Sequence, residues 1–287
     1  MKVIRTIEGI EEERKIYSVL KTGFVPTMGN LHRGHLSLVQ RATMENDFTV
    51  VSIFVNPRQF GENEDYLSYP RTSDMDIELL KRAGVDILFM PENGEIYRPD
   101  FSTLVMVEGL SERLEGKFRP GHFAGVCTVV CKLFNIVRPS SAYFGWKDAQ
   151  QLLVIKRMAA DLNLAIDIAG CETIREEDGL AMSSRNARLS EEERKKAPAL
   201  YRSLLRIKTL IERDGARDVA LLVKEGRKII ESCGGIEMDY LDMVSLPSLD
   251  RIEKVCGKVM AAGAVRIGRT RLIDNIRMEI EAQDLSV

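Results

Sequence analysis

The chain has 287 residues, 45% hydrophobic and 29% charged, a balance typical of a globular protein long enough to bury one large core or, more readily, two. Its 41 Lys and Arg against 43 Asp and Glu leave a net charge of −2, so no global basic field marks nucleic acid as a partner and any anion must be held locally. No window has the apolar length of a membrane span, and Met1-Lys2-Val3-Ile4-Arg5-Thr6-Ile7-Glu8 lacks the core of a signal peptide. With five scattered cysteines, which suit reduced thiols, these features lead us to expect a cytoplasmic protein without membrane contact.

In chain order, the first informative segment follows an apolar run ending at Phe24-Val25. Pro26-Thr27-Met28-Gly29-Asn30-Leu31-His32-Arg33-Gly34-His35 contains two of the chain's three histidines. Behind it Leu36, Leu38, Val39 and Ala42 fit one face of a helix, so the segment reads as strand end, Gly-containing turn and helix start. The first turn of a helix carries N–H groups without intrahelical partners and the positive end of the macrodipole, which suits a phosphate. His32 and His35, three residues apart, would face that anion together. Each is taken near its ordinary pKa, able to donate to a phosphoryl oxygen or, when protonated, to oppose charge on a leaving group. Gly34 allows the ligand a close approach.

The apolar run 48–55 reads as a strand ending at Asn56-Pro57-Arg58-Gln59, where Asn56 and Gln59 would emerge toward the ligand as amides matched to hydroxyl and carboxyl groups. A helix is expected over about 72–83 with Met75, Leu79 and Leu80 on one side, then a strand over 85–90. Lys117-Phe118-Arg119-Pro120-Gly121-His122 reads as a basic loop fit to cover a charged nucleotide. A helix follows over 122–137, in which Cys127 and Cys131 read as core residues rather than metal ligands. Phe144-Gly145-Trp146-Lys147-Asp148 is again strand end, glycine and helix start. Lys147 would neutralise a phosphate, and Gln151 would face the same side within the helix 148–163. Met182-Ser183-Ser184-Arg185-Asn186 adds two hydroxyls and a guanidinium, a set that can bind phosphate.

Near-continuous apolar strands linked by helices indicate a parallel, doubly wound α/β sheet whose ligands sit beyond the C-terminal strand ends. The texture changes near 180–188. Ser190 and Glu193 form a capping-box signature, helices are expected over 191–213 and 216–233, and strands over 236–244, 258–267 and 270–274. The expected division is a nucleotide-binding domain, 1–182, and a smaller α+β domain, 183–287. Neither a Gly-x-Gly-x-x-Gly fingerprint nor a Gly-Lys-Ser/Thr phosphate loop is present, which argues against a dinucleotide oxidoreductase and a P-loop NTPase.

Taken together, the segments at 26–35, 54–60, 69–71, 121–123, 145–151 and 178–186 resemble, in order, those of the pantothenate synthetase family, the ATP-dependent ligases that join pantoate to β-alanine. The resemblance implies a Rossmann-like fold of the nucleotidylyltransferase superfamily. It implies an ATP site formed by Pro26 to His35, Gly145 to Asp148, Ile174 and Met182 to Arg185, with His35, His32, Lys147 and Arg185 as catalytic groups. Gln59 and Gln151 would bind pantoate, and Gln59 would also lie where β-alanine enters. Mg²⁺ would accompany ATP, and the subunits would pair through the N-terminal domain as a homodimer. The implied reaction passes through pantoyl adenylate, shielded from water by the 117–122 loop or the smaller domain. Trp146, Ala149 and Ala124 depart from the family's usual residues. Two other readings of His-x-Gly-His stand beside this one: a different nucleotidylyltransferase, and a nucleotide-binding regulator without catalysis.

Overall fold

The computed structural model describes residues 1–61 and 64–281. The first compact unit runs from Met1 to Ile174. Along it come β1 (Lys2–Ile4), α1 (Ile7–Tyr17), β2 (Thr22–Thr27), α2 (Arg33–Glu45), β3 (Phe48–Ile53), α3 (Ser73–Arg82) and β4 (Ile87–Phe89). After these lie the short α4 (Asn93–Ile96) and α5 (Glu115–Phe118), then α6 (His122–Val137), β5 (Ser141–Gly145), α7 (Ala149–Asp161) and β6 (Asp167–Cys171).

The six strands form one sheet in the order β1-β4-β3-β2-β5-β6, and every pairing is parallel. Parallel strands need covered faces, and the central ones are apolar on both: Phe24 and Val25, Val50 and Val51, and Ile87, Leu88 and Phe89 are all buried. From β2 the chain winds outward through β3 and β4, then returns to lay β5 and β6 on the other side. The strand order therefore reverses between β2 and β5. Those two strands pair only at Gly23↔Ser141 and Phe24↔Ala142, whereas β2 stays paired with β3 as far as Thr27↔Ile53. The C-terminal ends of β2 and β5 thus part, and a crevice opens where a doubly wound sheet takes its ligand.

Helix α3 lies where a helix was expected, but with a different face inward. Met75 is 63% exposed, while Asp76 and Leu80, one turn apart, are buried. A buried carboxylate on the inner face breaks the apolar periodicity that pointed to Met75.

The second unit runs from Arg175 to Val287, so the chain divides ahead of the 182/183 position read from the sequence. Arg175 makes a two-pronged pair with Asp274 (2.6 and 2.9 Å) and lies over the Tyr201 ring, and Leu180 joins this unit's core, which ties 175–181 into it. Here α8 (Glu191–Lys196), α9 (Ala199–Glu212) and α10 (Val219–Ser232) precede β7 (Ile236–Ser245), β8 (Gly257–Ile267) and β9 (Thr270–Ile280), an antiparallel sheet in the order β7-β8-β9. The capping box forms as expected: Glu193 N–H donates to Ser190 Oγ and Ser190 N–H to Glu193 Oε2. The single helix expected over 191–213 is instead two, because Pro198 has no N–H to continue the ladder.

Candidate active site

The crevice between β2 and β5 has one wall made by residues 27–35. Thr27 Oγ1 donates to the Ser52 carbonyl (2.8 Å) and accepts from Gly29 N–H (3.2 Å). Gly29 and Asn30 both take the left-handed conformation, at φ +80° and +51°, and swing the chain off the sheet. A Cβ at Gly29 would sit 3.0 Å from Ile53 and 3.1 Å from Asp76, so glycine suits the space as well as the angle. Beneath this turn the Asp76 carboxylate accepts the N–H of Asn30 and of Leu31, each at 2.9 Å, and the Thr72 hydroxyl at 3.2 Å. The turn ends at His32, the N-cap of α2, whose Nδ1 accepts Gly34 N–H at 3.1 Å. That bond fixes the neutral tautomer with the proton on Nε2.

His35 follows on the first turn, and the two imidazole centroids are 4.1 Å apart. Burial, then the Lys147 ammonium, pushes His32 down to about 4; burial, then His32, pushes His35 down to about 3. The ordinary pKa assumed from the sequence does not hold: near neutral pH both rings are uncharged and act as hydrogen-bond donors, not cations. His35 Nδ1 is buried without a hydrogen-bond partner among the described residues, a polar atom left over in the crevice. Arg33 is exposed, and no acidic residue occupies the first turn of α2 to compete with an anion.

The opposite wall comes from β5. Gly145 leads into a 3₁₀ turn, Trp146–Asp148, and then α7. Lys147 Nζ lies 3.7 Å from Asp148 Oδ1, and both groups act electrostatically on the histidines. The Trp146 indole packs on the backbone of β6 at Gly170, where a Cβ would run into the ring nitrogen. Gln150 is buried and fully used, accepting Glu115 N–H (2.9 Å) and donating to the carbonyls of Leu110 (2.7 Å) and Arg113 (2.8 Å). Gln151 next to it is half-buried, with no such commitments among the described residues.

A third group of side chains extends the crevice along β3. The turn Pro57–Gln59 brings Gln59 Nε2 to 3.2 Å from Met28 Sδ, joining this segment to the histidine turn. Asn56, expected to face the ligand, is buried and spends its amide on the fold. Its Oδ1 accepts the Tyr97 hydroxyl (2.9 Å), and its Nδ2 donates to the Gly125 carbonyl (3.1 Å) and Gln59 Oε1 (3.0 Å). The 117–122 loop also differs from its reading as a mobile cover. Lys117 is exposed, but Arg119 pairs with Glu64 (2.6 Å) and His122 is buried against the Gln59 carbonyl (2.8 Å).

The structure therefore brings together 26–35, Gln59 and 145–148 in the first unit, where Ile174 is the last residue. Met182, Ser183, Ser184 and Arg185 belong to the second unit, in a turn where Ser183 Oγ accepts Arg185 N–H (3.3 Å) and Asn186 Nδ2 donates to the Ala181 carbonyl (3.1 Å). Two supports escaped the sequence reading, Asp76 and Gly125. A Cβ at Gly125 would collide with the Arg58 carbonyl and lie 2.7 Å from the Gln59 nitrogen, so α6 and the Pro57–Gln59 turn meet backbone to backbone. Gly125→Ala is expected to destabilise the protein by about 3 kcal/mol through overpacking. A urea midpoint equal to that of the wild type would mean the turn can give way freely.

Comparison with known proteins decides the family. The profile of the family described as Pantoate-beta-alanine ligase matches residues 2–277. The chain belongs to the pantoate–β-alanine ligase family. The pantothenate synthetase of Pseudothermotoga lettingae is 52% identical over 273 residues, covering 94% of this chain and 97% of that relative. A solved structure of the pantothenate synthetase from Thermus thermophilus superposes with a TM-score of 0.91 at 47% identity, covering 96% of this chain and 99% of that one. The Francisella tularensis pantoate-beta-alanine ligase, solved in complex with beta-gamma ATP and beta-alanine, gives a TM-score of 0.79 at 35% identity, covering 96% and 97%. Membership of this ligase family sets aside the readings of His-x-Gly-His as a transferase for a phosphorylated acceptor or as an inert regulator.

Proposed function

We propose that this protein uses ATP to condense pantoate with β-alanine, giving pantothenate, AMP and pyrophosphate. The observation that carries the reading is the meeting, at the point where strand order reverses, of two uncharged imidazoles and Lys147 beside the amide of Gln59. The first group suits a polyphosphate, and the second suits a small hydroxy acid.

In the first step a pantoate carboxylate oxygen attacks the α-phosphorus of ATP. The bond to the bridging oxygen breaks, and pyrophosphate leaves with its electron pair. Two anions must meet, so the barrier is electrostatic and is lowered by prearranged donors. His32 and His35 donate ring N–H groups to phosphate oxygens, Lys147 supplies a full positive charge, and Arg185 of the second unit is assigned to the same task. The backbone of 26–35 and 145–148, with Ile174 and Met182 to Ser184, holds the nucleotide. Gln59 and Gln151 orient pantoate, and Gln59 borders the path of β-alanine. In the second step the β-alanine amine attacks the acyl carbon, a proton is lost from nitrogen, and AMP departs.

Among the described residues no three His, Cys, Asp or Glu side chains converge as a metal cage. Magnesium would enter with the substrate as Mg-ATP and would supply positive charge to the phosphates. Among the described residues no helix is long and apolar enough to cross a membrane. We assign the enzyme to the cytoplasm, as a homodimer formed through the first unit.

The test is pyrophosphate and AMP release from Mg-ATP with pantoate, with and without β-alanine. A stoichiometric burst of pyrophosphate with pantoate alone, becoming steady AMP release when β-alanine is added, is the expected result. ATP binding with no pantoate-dependent pyrophosphate would reject the adenylate route.

A further inference from the structure

His122, the one histidine outside the phosphate crevice, is buried, and the reaction as described gives it no part. Its two ring nitrogens have partners that leave no freedom of assignment. Nδ1 lies 2.8 Å from the main-chain carbonyl of Gln59, and Nε2 lies 3.0 Å from Nη1 of Arg119. A carbonyl cannot donate and a guanidinium cannot accept, so the ring is neutral, with its proton on Nδ1 and its lone pair on Nε2. Burial and the adjacent Arg119 charge agree, pushing His122 down to about 4. Arg119 is itself held, pairing with Glu64 through Nε (2.6 Å) while its Nη2 approaches the same Gln59 carbonyl at 3.3 Å. Two donors thus converge on one carbonyl, and the carbonyl belongs to the residue whose side chain reaches Met28.

We propose that His122 is a positioning residue for the pantoate pocket. Together with Arg119, it fixes the Gln59 backbone so that the Gln59 amide is presented to the substrate. The inference rests on the assignment of Gln59 to pantoate. A side-chain amide reads hydroxyl and carboxylate groups only if its donor and acceptor ends are held in place, and a short 3₁₀ turn of three residues supplies little rigidity of its own. The clamp acts on ground-state binding of pantoate and leaves the nucleotide side of the crevice alone.

The experiment compares His122→Asn with His122→Gln, alone and in a Gln59→Ala background, reading KM for pantoate and for ATP separately. The asparagine amide falls where Nδ1 was and still donates to the carbonyl; the glutamine amide falls near Nε2 and does not. His122→Gln is expected to raise the pantoate KM about tenfold, the scale of one lost hydrogen bond, with the ATP KM unchanged. His122→Asn should stay within about threefold of the wild type. In the Gln59→Ala background, His122→Gln should add nothing further, because the group being positioned is gone. If Gln59→Ala raises the pantoate KM while His122→Gln leaves it unchanged, moves both KM values together or adds its full effect to Gln59→Ala, the positioning role is overturned and Gln59 keeps its assignment. If Gln59→Ala itself leaves the pantoate KM unchanged, the assignment of Gln59 fails and the clamp fails with it. Should His122→Gln not fold, a tenfold rise in pantoate KM for His122→Asn, which retains the donor, would reject the proposal.

Discussion

His35→Ala is expected to lower kcat by about 10²–10³, the usual consequence of removing one prearranged donor from a charge-developing transition state. The loss should fall on the pyrophosphate-forming half-reaction and leave the chain folded. The ring lies in the first turn of α2, tilted against His32, with its Nδ1 buried and without a partner among the described residues. Burial holds its pKa near 3, so the ring is uncharged in the protein itself and offers the nucleotide a directed N–H. His35→Lys restores charge without that geometry and should not restore activity. A kcat within a few-fold of the wild type for His35→Ala, measured by pyrophosphate release, would remove His35 from the mechanism.

The same burial carries a stability signature with a definite sign. His35 titrates near 6.5 when unfolded and about 3 when folded, so between those values the unfolded chain binds more protons. Stability is complete above about pH 6.5 and falls as the pH drops toward 3. His32 and His122, each pushed down to about 4, add to the same slope. His35→Ala should therefore lose less stability than the wild type between pH 7 and pH 5, and urea midpoints at the two values measure it. A variant that is catalytically crippled yet less sensitive to acid would separate the chemical role of His35 from a structural one.

The residues legible in the sequence were those whose chemistry is rare and whose position follows a strand. His32, His35 and Lys147 could be placed at strand ends because apolar runs stop just before them, and a doubly wound sheet brings such ends to one edge. What the sequence hid was the work of neighbours distant along the chain. Asn56 has the composition of a ligand-binding amide, but its partners Tyr97 and Gly125 lie 41 and 69 residues away and consume it. Gly125 sits in the middle of an apolar helix where only its helix-weakening effect is visible; the backbone approach that needs it is tertiary. The 117–122 segment reads as a mobile cover from its position just ahead of a helix, and Glu64, which holds Arg119, belongs to a different loop.

Asp76 was the most deeply hidden of these, since an acidic residue in a helix's first turn looks like ordinary compensation of the dipole. Buried under the Gly29-Asn30 turn, it instead receives the backbone N–H groups of Asn30 and Leu31. Asp76→Asn conserves shape but turns an amide donor toward one of those N–H groups. The resulting repulsion and lost charge-assisted bond are expected to cost about 2–3 kcal/mol of stability. They should also lower kcat/KM for ATP by about 10- to 100-fold, because the turn sets where His32 caps α2. The direction of the ATP effect separates two explanations. Removing a negative charge beside a polyphosphate site would, by Coulomb's law alone, tighten ATP binding. Displacing the turn would weaken it. A higher ATP KM in Asp76→Asn, with a lowered urea midpoint, is the outcome expected if the carboxylate positions the histidines. A lower ATP KM with undiminished kcat would show that its charge matters and its hydrogen bonds do not.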